Sequence, residues 1–311
     1  MLRGAYCTVN PLSKLIILIS LLFSFLLFSS LVGILVLVPF YGSGVAALLS
    51  SPDFTDPSVI NALKVLQILN MAGGLLLSAL LYLWLCNPPK ETFIAFKKPI
   101  STAVILLSAL LIVLAQPLIG QANELNSMLR LPEWLSFVEN WMKSAEKQGE
   151  LITEAFLSTT SVPGLTVNIF MIAILPAFAE EVLFRGALAR LLKDWTKNVH
   201  LAVFLSACIF AAIHLQFYGF LPRFLLGAAL GYLFFWSGSL WLPIVAHFTN
   251  NMLSITIEFL FRKGIIHTNA DNFGMDNAAW LIIISILSVT GLLYLIYDAT
   301  SGKQKVENYK A

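Results

Sequence analysis

The chain has 311 residues, of which 58% are hydrophobic and only 12% are charged. Soluble proteins carry about 25% charged residues, so this composition disfavours a soluble α/β enzyme and a disordered tail. The 19 basic residues barely outnumber the 17 acidic ones, which disfavours a nucleic-acid binder. We therefore predict an integral membrane protein.

Eight apolar stretches are long enough to cross a membrane as helices. A bilayer core of about 30 Å requires roughly 20 mostly apolar residues per helix. The stretches are approximately Leu15–Phe40, Ile68–Cys86, Ile100–Ile119, Leu165–Leu183, Leu201–Leu215, Phe220–Trp236, Leu240–Phe261 and Ala278–Tyr297. The predicted fold class is therefore all-α, a polytopic membrane helix bundle of about eight transmembrane helices.

The positions of Lys and Arg predict the orientation of this bundle. Basic loops are retained on the cytoplasmic side of a membrane. With a cytoplasmic N-terminus, twelve of the 19 basic residues fall on the cytoplasmic side and seven on the other. We expect both termini to be cytoplasmic, and the plasma (inner) membrane to be the location if the chain is bacterial.

The longest connection, Gln121–Gly164, is predicted to contain one amphipathic helix, with Pro132 in its first turn. Glu133, Glu139 and Glu146 are assigned to its other faces. Its apolar residues recur at helical spacing, namely Leu131, Trp134, Leu135, Val138, Trp141 and Met142. Two interpretations remain open, a helix on the membrane surface and a lid over a site within the membrane.

Polar residues are concentrated in three of the predicted spans. An ionisable group within a span costs about 2.5 to 3.5 kcal/mol even on a lenient insertion scale, so each one requires a reason. The polar set lies between residues 176 and 251 and consists of Glu180, Glu181, Arg185, His214, His247, Asn250 and Asn251.

The spacing of the acidic residues assigns them different environments. Glu181 and Arg185 are four residues apart, with the acid N-terminal to the base, which is the favourable order for an ion pair on one helical face. Glu180 points about 100° away from this pair. We expect its carboxylate to face the bundle interior without a dedicated cation, where it is a usable general base.

The histidines show the same spacing. His214 follows Phe210 by four residues, and His247 precedes Asn251 by four, so an imidazole and a carboxamide project from one face as adjacent donors. Singly, each residue also fits a structural role, such as a packed histidine or an interhelical asparagine bond. Their restriction to three of eight spans favours a shared site.

These residues form three short motifs, Glu-Glu-Val-Leu-Phe-Arg at 180–185, Phe-Ala-Ala-Ile-His at 210–214 and His-Phe-Thr-Asn-Asn at 247–251. They resemble the EExxxR, FxxxH and HxxxN motifs of the CPBP family over roughly Leu165–Phe259. That family contains the type II CAAX prenyl endopeptidases and bacterial relatives called Abi, or bacteriocin-processing and immunity proteins.

The resemblance implies an intramembrane endopeptidase that acts on a membrane-associated protein or peptide. In that case Glu180 and His214 polarise a water molecule, and His247 and Asn251 stabilise the oxyanion. Glu181 and Arg185 are implied to hold the helix end and to orient the base. The protease core is then expected at 165–261, between an N-terminal part at 1–164 and a last helix with a tail at 262–311.

Other interpretations remain open. Glu180, His214 and His247 would also be a ligand set for zinc, although a metal-free mechanism is favoured because no HExxH helix is present. A protein of the same fold can act by binding, as an immunity or maturation partner, and intramembrane charges also mark transporters. The expected partners are membrane lipids and a membrane-associated substrate, and no nucleic acid.

The topology can be tested with reporter fusions. Reporters placed after Ala311 and within Gln121–Gly164 should lie in opposite compartments, because the basic residues place the C-terminus in the cytoplasm and the long loop outside. Reporter activity in the same compartment would contradict the predicted topology.

Overall fold

A computed structural model of the chain describes residues 2–91, 93–97, 100–268 and 279–308. Over these residues the structure is helical and contains no strand, which confirms the all-α prediction. Nine long helices, α1 to α9, span Pro11–Tyr41, Pro57–Cys86, Thr102–Ser127, Ser136–Leu157, Val162–Thr196, Val199–Ala212, Phe220–Ser237, Trp241–Arg262 and Ala279–Asn308.

Six helical segments in the described part of the chain are long and apolar enough to cross a membrane. They are Pro11–Tyr41, Pro57–Cys86, Thr102–Ser127, Val162–Thr196, Phe217–Ser237 and Ala279–Ser301. The polytopic helix bundle is thereby confirmed. The predicted start of the last span, Ala278, lies outside the described residues.

The two other predicted spans are also helical, but they are not both long enough and apolar enough to be counted among these six. Helix α6 has 14 residues and is therefore about 21 Å long, shorter than a bilayer core. Helix α8 has 22 residues, and His247, Asn250 and Asn251 reduce its hydropathy. The count of eight transmembrane helices stays a prediction.

A tight turn joins α5 to α6. Lys197 ends α5 with a positive φ of 56°, and the side chain of Asn198 accepts hydrogen bonds from the His200 and Leu201 amides. Asn198 therefore caps α6, which begins at Val199. This start places Phe210, near the end of α6, against Phe184 of α5, with ring centroids 5.1 Å apart.

Two buried apolar clusters hold the bundle together. One cluster joins α1, α2, α5, α6, α7 and α8, and includes Leu83, Val182 and Phe210. The second cluster joins α3, α7, α8 and α9, and includes Leu230 and Leu242. Helices α7 and α8 contribute to both clusters.

The predicted amphipathic helix is α4, which follows a short 3-10 turn at Glu133–Leu135. The apolar side chains of this segment are not all buried, because Trp134 and Phe137 are both 79% exposed. Glu139 and Glu146, which were predicted on faces other than the apolar one, both bond Tyr218. Leu135, Glu139, Met142 and Glu146 are spaced by three or four residues and therefore share one face.

Helix α4 lies across the ends of several other helices. Near its middle Glu146 bonds the Tyr218 amide before α7, and Glu154 lies 3.7 Å from Arg262 at the end of α8. At its C-terminal end the Phe156 carbonyl accepts a hydrogen bond from Asn168 of α5. The helix thus covers one end of the bundle that contains the polar residues.

Candidate active site

Helix α5 contains two π-helical stretches that flank the paired glutamates. The stretches are Ile169–Ile174 and Val182–Ala189, and the α-helical segment Leu175–Glu181 lies between them. Single π-helical turns within α-helices are rare and occur frequently at functional sites. Arg185 lies in the second π-helical stretch, and it still forms the predicted ion pair with Glu181. Its Nη1 lies 2.8 Å from Glu181 Oε1.

The carboxylate of Glu181 is the centre of the polar network. Its Oε1 accepts hydrogen bonds from Arg185 Nη1 and from His247 Nδ1, both at 2.8 Å. Glu181 is fully buried, and Arg185 and His247 are 1% and 4% exposed. The shared oxygen therefore links α5 to α8 in a region without solvent contact.

The guanidinium of Arg185 makes further contacts that compensate for its burial. Its Nη2 donates to the Gly227 carbonyl at 2.7 Å, and its Cζ lies 5.0 Å from the Phe210 ring centroid. A buried ion pair is tolerated only when additional hydrogen bonds satisfy its polar atoms. Arg185 thereby connects α5 to α7.

Gly227 permits this close approach. A β-carbon at this position would lie 3.2 Å from Phe210 Cδ1 and 3.3 Å from the backbone of Ala207. The absence of a side chain allows α6 and α7 to pack closely, and it leaves the Gly227 carbonyl within reach of Arg185.

Glu180 is buried beside the network without belonging to it. The residue is 6% exposed, and its Oε2 lies 3.9 Å from His247 Nε2, which is too far for a hydrogen bond. Among the described residues, no donor bonds this Oε2 atom. The carboxylate therefore keeps an oxygen available for another hydrogen-bond partner.

The contact with Glu181 sets the orientation of the His247 ring. A carboxylate oxygen only accepts hydrogen bonds, so Nδ1 of His247 carries a proton. The bond at Nδ1 directs the opposite ring nitrogen, Nε2, towards Glu180. Such a bond at one imidazole nitrogen determines the role of the other nitrogen.

His214 lies two residues beyond the end of α6 and is half-buried. Its Nδ1 lies 2.7 Å from the Phe210 carbonyl, so Nδ1 donates and Nε2 is left as the acceptor of the neutral ring. The Phe210 ring contacts both imidazoles, with centroids 4.9 Å from His214 and 5.9 Å from His247.

Asn251 lies one turn beyond His247 on α8, and its contacts run to α5. Its Nδ2 donates to the Ile172 carbonyl at 2.9 Å, and its Oδ1 accepts from Asn250 at 3.3 Å. The structure thus places His214 and His247 against Phe210, Glu180 beside His247, and Asn251 one turn beyond His247.

Sequence reasoning missed two features of the site. It paired Glu181 with Arg185 alone, whereas His247 shares the same oxygen. It also gave no role to Gly227, whose carbonyl receives Arg185. The i, i+4 rule detects neighbours on one helix, and both missed contacts join different helices.

No group of three or more His, Cys, Asp and Glu side chains is arranged to hold a metal ion within the part of the chain that the structure describes. Glu180, His214 and His247, the alternative zinc ligands, therefore do not form such a group.

Comparisons with known proteins point to the same part of the chain. Residues 162–253 match a family described as type II CAAX prenyl endopeptidase Rce1-like. The predicted family resemblance is confirmed for this segment. The segment contains all three motifs and every candidate site residue.

A curated protein is also similar to part of the chain. Over 115 residues the chain is 31% identical to a Bacillus subtilis (strain 168) protein described as uncharacterized protein YpbD. The aligned region is 36% of this chain and 54% of that protein, so the chain spans about half the length of the curated relative it matches. No solved structure matches the chain.

The buried network predicts that substitutions of two cationic residues of α5 differ in their effect on the stability of the protein. Arg185→Ala should lower the free energy of unfolding by about 3 to 5 kcal/mol, because it leaves the Glu181 carboxylate buried without its cation. The control Lys193→Ala removes a side chain that is 48% exposed and should have little effect. Denaturant unfolding in detergent micelles measures both, and equal stabilities would contradict the role of Arg185.

Proposed function

We propose that the protein is an intramembrane endopeptidase that hydrolyses a peptide bond in a membrane-associated protein or peptide. The observation that carries the proposal is the buried Glu180 carboxylate, with an unbonded oxygen 3.9 Å from the Nε2 atom of His247. The similarity of 162–253 to CAAX prenyl endopeptidases supports the reaction class. The apolar helices support a membrane location, which is the plasma membrane if the chain is bacterial.

In the proposed reaction Glu180 acts as the general base. A water molecule between Glu180 Oε2 and His214 Nε2 transfers a proton to the carboxylate as its oxygen attacks the peptide carbonyl. His214 orients this water, because its Nδ1 is committed to Phe210 and its Nε2 accepts. Glu180 then gives the proton to the leaving nitrogen, so that an amine and a carboxylic acid are released.

His247 and Asn251 are proposed to stabilise the oxyanion of the tetrahedral intermediate. The hydrogen bond between His247 Nδ1 and Glu181 directs Nε2 into the site, where Nε2 donates to the oxyanion when it carries a proton. Asn251 Nδ2 carries two protons and uses one for the Ile172 carbonyl, so the other is available to the oxyanion. Donors of this kind contribute about 2.7 to 4 kcal/mol each to transition-state stabilisation.

The remaining parts of the chain have supporting roles in this proposal. Glu181 and Arg185 hold the end of the catalytic helix segment and orient His247. The protease core is assigned to 165–261, and the flanking parts 1–164 and 262–311 anchor and cover it.

The substitution Glu180→Gln tests the base. It preserves the shape of the side chain but removes the proton acceptor, so cleavage should fall by about 10² to 10⁴ while the yield of folded protein stays near that of wild type. Comparison of the membrane proteomes of cells expressing wild type and Glu180→Gln identifies the substrate. Purified protein and a peptide from that substrate then give the rates.

The control variant is Glu124→Gln, which changes a half-buried glutamate at the end of α3. It should cleave at the wild-type rate. A chelator should leave cleavage by wild type unchanged. Wild-type activity in Glu180→Gln would contradict the proposal and favour a binding role, and a loss on chelation that zinc reverses would overturn the metal-free mechanism.

A further inference from the structure

The segment that carries His214 is a connection between two helices, and part of its support comes from other helices. Residues 213–219, which we call the His214 turn, connect α6 to α7. Leu215 within it has a φ of 53°, a left-handed conformation that is unfavourable for a residue with a β-carbon. Such a conformation persists only when surrounding structure determines it.

The surrounding structure comes from α3, α4 and α7, and Arg223 of α7 donates to Gln216 and to the Gly219 carbonyl. Asn126 of α3 donates from Nδ2 to the Phe217 carbonyl and accepts at Oδ1 from the Leu221 amide. Glu146 of α4 accepts the Tyr218 amide proton at 2.8 Å. The contacts from α3 and α4 hold the C-terminal end of the His214 turn from outside the protease-like segment.

Glu146 provides an anionic hydrogen-bond acceptor at the start of α7. Tyr218 lies in the 3-10 turn Phe217–Gly219 that precedes α7, and the first amides of a helix require acceptors from elsewhere. An anionic group is favoured at such an N-terminus. Glu146 therefore acts as a helix cap supplied by another helix.

Glu139 supports the same residue more weakly. Its Oε1 lies 3.3 Å from the Tyr218 hydroxyl, but the carboxylate also bonds Lys143 at 2.6 Å and the Leu131 amide. The hydrogen bond from Lys143 lowers the pKa of Glu139 from its ordinary value, so the carboxylate remains an acceptor at neutral pH. Glu146 is the more direct contact of the two.

We propose that Glu146 is a positioning residue for His214. By fixing the Tyr218 amide it holds the His214 turn in its left-handed conformation, and this conformation keeps the His214 ring against Phe210, with Nδ1 on the Phe210 carbonyl. The effect on catalysis rests on the proposed function, whereas the effect on the position of His214 does not. The cover formed by α4 thereby becomes part of the active-site framework.

The experiment uses four variants of the full-length protein in detergent micelles. Glu146→Ala removes the acceptor, Glu146→Asp keeps the charge but shortens the side chain, and Glu146→Gln keeps an acceptor oxygen at the same length. Glu154→Ala is the matched control, because Glu154 is an acidic residue of the same helix with a 69% exposed side chain.

Two readouts are measured for each variant. The first is kcat and KM for cleavage of the identified peptide. The second is the rate at which diethylpyrocarbonate modifies His214, determined by mass spectrometry with the exposed His200 as internal reference. The second readout does not depend on whether the protein is a protease.

Glu146→Ala and Glu146→Asp should lower kcat about 10- to 100-fold, the factor expected from loss of one hydrogen bond to a charged group, with KM nearly unchanged. Both should raise the modification rate of His214 relative to His200. Glu146→Gln should restore most of kcat and the wild-type modification rate, and Glu154→Ala should match wild type.

Equal modification of His214 in wild type, Glu146→Ala and Glu146→Asp would overturn the positioning role even if the protein cleaves peptides. A raised modification rate in a protein without peptidase activity would support the positioning role and contradict the proposed function. If Glu146→Ala does not fold, Glu146→Asp and Glu146→Gln are compared with each other. Equal modification rates of His214 in these two variants would overturn the proposal.

Discussion

The shared carboxylate oxygen of Glu181 is the interaction on which the polar interior of this bundle depends. One atom accepts from Arg185 and from His247, and Arg185 continues to the Gly227 carbonyl. Charged groups within a membrane-embedded core are tolerated only when they are paired and hydrogen-bonded. The three helices α5, α7 and α8 are therefore held in a fixed arrangement by a single buried acid.

This arrangement gives two adjacent glutamates different tasks. Glu181 bonds Arg185 and His247 through its Oε1 atom, whereas Glu180 lies about 100° around the helix and outside these bonds. The Oε2 atoms of both residues have no donor among the described residues. Pairs of titratable groups in unlike environments are a common way to assign acid, base and supporting roles within a site. The same network orients His247, so structural and chemical functions are coupled through Glu181.

Much of this architecture follows from local patterns in the sequence. Apolar stretches of about 20 residues identified helices at all eight predicted positions, and the i, i+4 rule identified the pair of Glu181 and Arg185. The sequence did not reveal that His247 bonds the same oxygen or that Glu146 reaches Tyr218. Those contacts join residues 66 and 72 positions apart, and they depend on how helices pack, which periodicity within one helix does not encode.

In the proposed mechanism a water molecule, activated by Glu180, attacks the peptide carbonyl directly. Single-turnover cleavage in water enriched in ¹⁸O tests it when the mass of the intact protein is followed during the reaction. The account predicts one ¹⁸O atom in the new carboxylate and no change in the mass of the protein at any time. A transient increase by the mass of the bound peptide fragment would reveal a covalent intermediate and contradict the account.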